Sequence, residues 1–152
     1  MDTMPVQERT PHTGESACDL ARTLLRAAHM VEAQLEAALE RVGMSLAKLT
    51  VLRHLVQAGE PLPLSQLAER SSCVRSNMTQ LVDRLEADGL VRRVADPNDR
   101  RSVRAMLTRT GQRRHDQAAQ LLAAREQEIA AALGGADCAQ LNRLLGLLIG
   151  DR

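Results

Sequence analysis

The stretch that decides the fold is residues 64–107, LSQLAERSSCVRSNMTQLVDRLEADGLVRRVADPNDRRSVRAML. Two periodicities meet in it. Leu64, Leu67 and Ala68, then Met78, Leu81, Val82 and Leu85, recur at three- and four-residue steps, so the spacing predicts two short helices over 62–70 and 74–88. Only a few residues separate them, and Gly89 stands in the C-cap place of the second. The period then changes to two. Leu90 to Val94 reads as a strand, Asp96-Pro97-Asn98-Asp99 is turn chemistry, and Ser102 to Leu107 alternates as a second strand. The pair makes a hairpin with a basic tip.

Working outward, residues 1–15 mix Pro5, Pro11, Thr and Gly14 with few apolar side chains and read as a loose arm. Residues 16–152 read as a single domain, the size that one hydrophobic core supports. From Ser16, apolar residues including Leu20, Leu24, Val31, Leu35, Leu39 and Val42 mark a long helix that Gly43 stops. Ser45 opens another helix, closed by Ala58-Gly59-Glu60-Pro61. After the hairpin, Thr108 begins a long helix to about Leu133. Gly134-Gly135 breaks it, and a last helix runs from about Asp137 to Ile149. That last helix is apolar on most of its circumference, and the first, of about 27 residues, is long for a chain of this size. Both features predict a dimer interface built from residues 16–43 and 109–152, leaving 45–108 as the central module. The alternative is a C-terminal helix fully buried within a monomer.

Composition narrows the function classes. The chain has 152 residues, 44% hydrophobic and 26% charged, with nine glycines and five prolines, which excludes whole-chain disorder and collagen-like repetition. No apolar run is long enough to span a membrane, and residues 1–15 lack the order of a signal peptide, so the expected compartment is the cytosol. There is no Phe, Tyr or Trp, which demotes modules that stack single-stranded bases on aromatic rings. No His-Glu-x-x-His, Gly-x-Ser-x-Gly, phosphate-binding loop or dinucleotide fingerprint occurs, so no catalytic residue, cofactor or metal is expected. Three cysteines are not a disulfide framework. Net charge is +1, yet the sum hides an asymmetry. Between Arg75 and Arg114 ten arginines face five acids, a net of +5, and the remainder carries −4. A concentrated basic segment in a near-neutral chain points to a polyanion surface on one part of the fold.

Helix, tight turn, helix and basic hairpin together specify a winged helix-turn-helix in a mainly α chain with a small β-hairpin wing, its N- and C-terminal helices forming the dimer interface. The second helix of such a pair enters the major groove and needs short polar and Arg side chains on its exposed face. Arg75, Ser76, Asn77, Thr79 and Gln80 supply that face, while Met78, Leu81, Val82 and Leu85 point back to the core. Arg pairs bidentately with guanine, and Gln or Asn with adenine. Arg84, further along, suits a phosphate. At the hairpin tip, Asp99, Arg100 and Arg101 follow another logic: a narrow minor groove concentrates negative potential and draws in Arg, with Asp99 pairing a neighbouring Arg to fix the tip. Val74 offers no capping oxygen, which leaves Ser72 as the candidate N-cap with the helix starting a residue early.

The sequence resembles the MarR family of bacterial regulators. The resemblance rests on Leu64-Ser-Gln-Leu-Ala-Glu-Arg, on Met78 to Arg93, on Asp96-Pro-Asn-Asp-Arg-Arg-Ser and on Leu107-Thr-Arg-Thr-Gly, and runs in order and spacing from about Leu20 to Ile149. It implies a homodimer that binds a pseudo-palindromic double-stranded DNA operator, usually represses nearby genes, and is released by a small phenolic or carboxylic ligand or by cysteine oxidation. It puts His29 and His54 on helices that flank the ligand cleft, which Arg26, Met30, Met44 and Arg53 could share; an Arg or His there suits a carboxylate, and a surface or satisfied interface role for each is the competing reading. Cys18, near the start of the first helix with Arg22 one turn on, is the redox candidate, since the family's organic-hydroperoxide sensors carry a reactive cysteine in this helix. Here it falls about one turn earlier than in those sensors, and the Tyr that bonds their sulfur is missing. An inert surface or interface cysteine is the competing reading. Cys73 is expected to be a buried structural thiol between the two helices, and Cys138 has no evident partner. A further alternative is a winged helix that serves protein interaction without DNA.

Overall fold

The computed structural model describes residues 13–99 and 102–150, with side chains placed from Asp19 onward. Its elements are α1 (Thr13–Glu40), α2 (Leu46–Ala58), β1 (Leu62–Pro63), α3 (Leu64–Arg70), α4 (Arg75–Ala87), β2 (Val91–Ala95), β3 (Val103–Leu107), α5 (Arg109–Leu133) and α6 (Gly135–Ile149). Two units divide between Gln34 and Leu35, inside α1.

In the first unit α1 is almost wholly exposed, Leu20, Leu25, Met30 and Val31 included. Arg22 forms an ion pair with Asp19, so the cation one turn after Cys18 already has a carboxylate. The side chain of Cys18 itself lies outside the described residues.

The second unit is built on a core to which Leu39, Leu52, Leu55, Leu67, Met78, Val82 and Leu85 each contribute a fully buried side chain. Local signals set the ends of its helices. Met44 N–H bonds the Leu39 carbonyl and Gly43 N–H that of Glu40, with Gly43 at φ +65°, which closes α1 in a left-handed cap. The Ser45 hydroxyl accepts from Lys48 N–H and starts α2. Leu46 N–H bonds Glu36 Oε2 at 3.1 Å, tying the start of α2 to α1. α4 ends in the same left-handed cap at Gly89, with Leu90 N–H on the Leu85 carbonyl and Gly89 N–H on that of Glu86, both at 2.9 Å.

Two boundary expectations are corrected. Leu62 and Pro63 are not the first turn of α3 but a short strand, paired antiparallel with Ala105 and Arg104, so the hairpin is the larger part of a sheet ordered β1-β3-β2. Ser72 does not cap α4. It closes α3, at φ +49°, with its N–H on the Glu69 carbonyl and Cys73 N–H on that of Ala68. α4 then starts at Arg75 from an extended Val74 with no side-chain cap. The sterics of the four-residue turn, Ser71 to Val74, decide this, because a chain reversing that fast needs one left-handed residue and no glycine is present.

α5 is anchored to the sheet by Thr108. Its hydroxyl accepts from Gly111 N–H and lies 2.8 Å and 3.0 Å from the carbonyls of Gly89 and Leu90. Gly111 is buried against Leu90: a Cβ added there would sit 2.0 Å from the Leu90 carbonyl oxygen. α6 buries no residue. Leu144, Leu147, Leu148 and Ile149 are exposed, the last at 74%. Among the described residues no helix is long and apolar enough to cross a membrane.

Candidate nucleic-acid interface

α4 divides by face as its spacing requires. Met78, Val82 and Leu85 are buried, whereas Arg75, Ser76, Asn77, Thr79, Gln80 and Arg84 are exposed. The helix therefore offers a polar strip fixed from behind by three core anchors. Thr79 is partly committed, since its hydroxyl donates to the Arg75 carbonyl at 3.1 Å and keeps only acceptor capacity. The first-turn amides have no side-chain cap and no acidic neighbour in that turn, which suits an anion there. Neither Arg75 nor Arg84 has a carboxylate partner among the described residues.

The wing is braced by a pair that sequence reading passed over. Asp96, only 8% exposed, receives Arg104 Nε at 2.7 Å and Nη2 at 3.1 Å, and accepts Asn98 N–H at 2.9 Å. The Arg104 guanidinium, then the Asn98 amide, hold its carboxyl below the ordinary range against the opposing effect of burial. Asp99 was expected to fix the tip. It is exposed and its carbonyl accepts Ser102 N–H at 2.9 Å; the wing base is braced separately, by Asp96. Arg100 and Arg101 lie outside the described residues.

A second set of contacts joins wing to helix. Arg93 on β2 reaches three positions on α4, its Nη2 2.6 Å from Asp83 Oδ1 and 3.4 Å from the Thr79 carbonyl, its Nη1 2.8 Å from Glu86 Oε2. The Arg93 N–H adds a 2.8 Å bond to Glu86 Oε1. These bonds to Arg93, the backbone one first, draw the Glu86 pKa down. Burial pulls the Arg93 pKa down, but the two carboxylates outweigh it and leave it above its ordinary value. Asp88 pairs with Lys48 at 2.7 Å. Asp83, Glu86, Asp88 and Asp96 are thus held by partners on other elements, and a strand's alternation was the one signal that either Arg92 or Arg93 must turn inward.

The other candidates are placed as follows. Arg26, His29 and Met30 are exposed on α1, where His29 Nδ1 lies 2.7 Å from the Leu25 carbonyl. Arg53 is exposed on α2. Met44 is 3% exposed and packs in the hydrophobic core. His54 is half-buried, with Nε2 sealed off and without a partner. Burial first, then the charges of Arg53 and Arg70, hold its pKa below the usual value, although the ring bonds the Arg70 backbone. Cys73 is half-buried rather than fully buried, and its thiol faces the Val74 carbonyl at 3.6 Å. Asn142 approaches Cys138 Sγ at 3.9 Å. Among the described residues no group of His, Cys, Asp and Glu could hold a metal ion.

The sequence profile of the MarR family matches residues 44–103. The solved structure of the transcriptional regulator PA4135 is 32% identical, covers 88% of this chain and 97% of its own, and superposes with a TM-score of 0.71. The chain belongs to the MarR family. That family is one of transcriptional regulators, not of enzymes. A mutant E. coli MarR complexed with operator DNA is 25% identical over 90% of this chain and 97% of its own, with a TM-score of 0.76. Among curated proteins, the HTH-type transcriptional repressor MdtR of Bacillus subtilis (strain 168) is 31% identical over 93 residues, which is 61% of this chain and 59% of MdtR. Alignments to four such Bacillus subtilis regulators span only 42–67% of their lengths. The mainly helical chain with its three-stranded sheet matches the winged-helix architecture of these structures.

Proposed function

We propose that this MarR-family protein is a homodimeric repressor whose α4 reads the major groove of a pseudo-palindromic operator while the wing enters the adjacent minor groove. The observation that carries the reading is the uncommitted polar strip of α4, Arg75, Ser76, Asn77, Gln80 and Arg84, backed by buried Met78, Val82 and Leu85. The E. coli MarR bound to operator DNA supports the partner, and MdtR supports repression. The dimer is supported by the exposed leucines and isoleucine of α6 and the exposed apolar residues of α1, which water alone would leave at a cost. Release by a small carboxylic or phenolic ligand follows the family resemblance, and Arg26 and His29 on α1 and Arg53 on α2 are each exposed. Thiol sensing through Cys18 is the less supported route, because Arg22 is paired with Asp19.

The test is selection from a random duplex pool, followed by titration of the winning sequence over a range of salt. Arg100→Ala or Arg101→Ala should weaken binding across many sequences and lower the salt slope by about one per lost phosphate contact. Changes at Ser76, Asn77 or Gln80 should alter which sequence wins. Failure to enrich any sequence, together with salt-insensitive association, would leave the protein-interaction reading in its place.

A further inference from the structure

We infer that Arg93 is the positioning residue that sets the recognition helix against the wing, so that both meet DNA in one fixed geometry. The inference rests on the DNA-binding reading above and goes beyond it, because Arg93 itself contributes no free charge to the DNA.

Three features carry it. First, one guanidinium spans α4 from the Thr79 carbonyl through Asp83 to Glu86, along the helix that bears the reading face. Second, the contact is bidentate in function. Glu86 takes the Arg93 side chain through Oε2 and the Arg93 backbone N–H through Oε1, so translation and rotation of β2 relative to α4 are both restrained. Third, β2 continues within a few residues to Asp96, whose bonds from Arg104 and Asn98 brace the wing base. The chain of contacts from reading face to wing therefore runs α4, Arg93, β2, Asp96, with each link a charge-assisted or backbone bond.

A second role for Arg93, as a phosphate contact, is disfavoured by its surroundings. Its side chain is 26% exposed and faces two carboxylates, so a phosphate approaching it would meet their negative charge. Lys at this position would carry the charge but not the fork, and a single ammonium cannot restrain both carboxylates in the same plane.

The experiment uses the full chain and two probes, the duplex selected by the wild type and a random duplex of equal length. Arg93→Gln is expected to weaken the selected duplex about tenfold and leave the random duplex within about twofold. The slope of log affinity against log salt should stay unchanged. Arg93→Lys should recover only part of the loss. Combining Arg93→Gln with Glu86→Gln should cost no more than Arg93→Gln alone, the signature of one shared contact.

A loss equal on both duplexes, with the salt slope reduced by about one, would make Arg93 a phosphate contact and overturn the inference. Unchanged affinity for the selected duplex would overturn it too. Should Arg93→Gln lose its cooperative thermal transition, Asp83→Asn with Glu86→Gln removes both carboxylates at constant shape and takes its place. If the wild type selects no sequence, the DNA-binding reading fails by itself, and the brace is then read without DNA. Amide exchange of Arg93 and of Asp83 to Ala87 should speed at least tenfold in Arg93→Gln, and unchanged exchange would refute it.

Discussion

Replacing Gly111 by Ala should be among the most damaging single changes available, although it adds one methyl group and removes nothing. The new Cβ would lie 2.0 Å from the Leu90 carbonyl oxygen and 2.9 Å from both the Leu90 carbonyl carbon and Leu107 Cδ1. Leu107 could turn aside, but the carbonyl is backbone. It is also held in place, because Thr108 N–H donates to it at 3.1 Å and the Thr108 hydroxyl lies 3.0 Å away. To restore van der Waals contact the start of α5 must retreat from Leu90, just before β2, by roughly 1 Å or more. Overpacking of this kind costs about 2–3 kcal/mol. Stretching the Thr108 cap on Gly111 N–H adds about 1 kcal/mol, and the better helix propensity of Ala returns about 1 kcal/mol. The net loss is about 2–3 kcal/mol, or a fall in Tm of roughly 5–10 °C for a chain of this length. With no Phe, Tyr or Trp in the chain, fluorescence and near-ultraviolet signals are blind. The assay is therefore far-ultraviolet circular dichroism on heating, at one protein concentration because an oligomer's Tm depends on it. Gly135→Ala is the control, since a Cβ there meets nothing within 4 Å. If Gly111→Ala melted with Gly135→Ala and the wild type, the close approach of α5 to Leu90 would be wrong.

Three further outcomes follow from other sites. Ser72 closes α3 in the left-handed region, so Ser72→Gly should raise stability by about 1 kcal/mol in a urea titration, whereas an N-cap serine would lose stability or be neutral. His54 is held neutral by burial and by Arg53 and Arg70, so the unfolded chain takes up the proton first. Its contribution is thus complete above about pH 6.5 and declines as pH falls from there toward the lowered folded value, and His54→Gln should flatten that decline in Tm against pH. Asp96 has the opposite chemistry with the same sign. Its folded carboxyl lies below the ordinary range, so the stabilisation is complete above about pH 4 and is lost as pH falls toward the folded value. Asp96→Asn should remove that acid limb and weaken DNA binding at neutral pH, and an unchanged affinity would separate the wing brace from DNA recognition.

What could be read from the sequence divides along a physical line. Helix spacing is a local signal, and it placed Met78, Val82 and Leu85 behind the reading face and the caps at Ser45 and Thr108. β1 was missed because two residues carry no period of their own; their pairing with Ala105 and Arg104 is a contact made some forty residues away. Ser72 was misassigned because serine caps helix starts by preference, and only the demand for a left-handed residue in so short a turn overrides that. The basic segment is the most instructive case. Counted from the sequence it is a field of ten arginines, each open to a polyanion. In the structure at least Arg93 and Arg104 are spent holding α4 and the wing to their places, each saturated by carboxylates of the same segment. Net charge survives this sorting, but the number of phosphate contacts does not. The salt slope of binding should therefore be set by arginines such as Arg75 and Arg84, and a slope that required all ten per protomer would mean that the internal pairs open when DNA arrives.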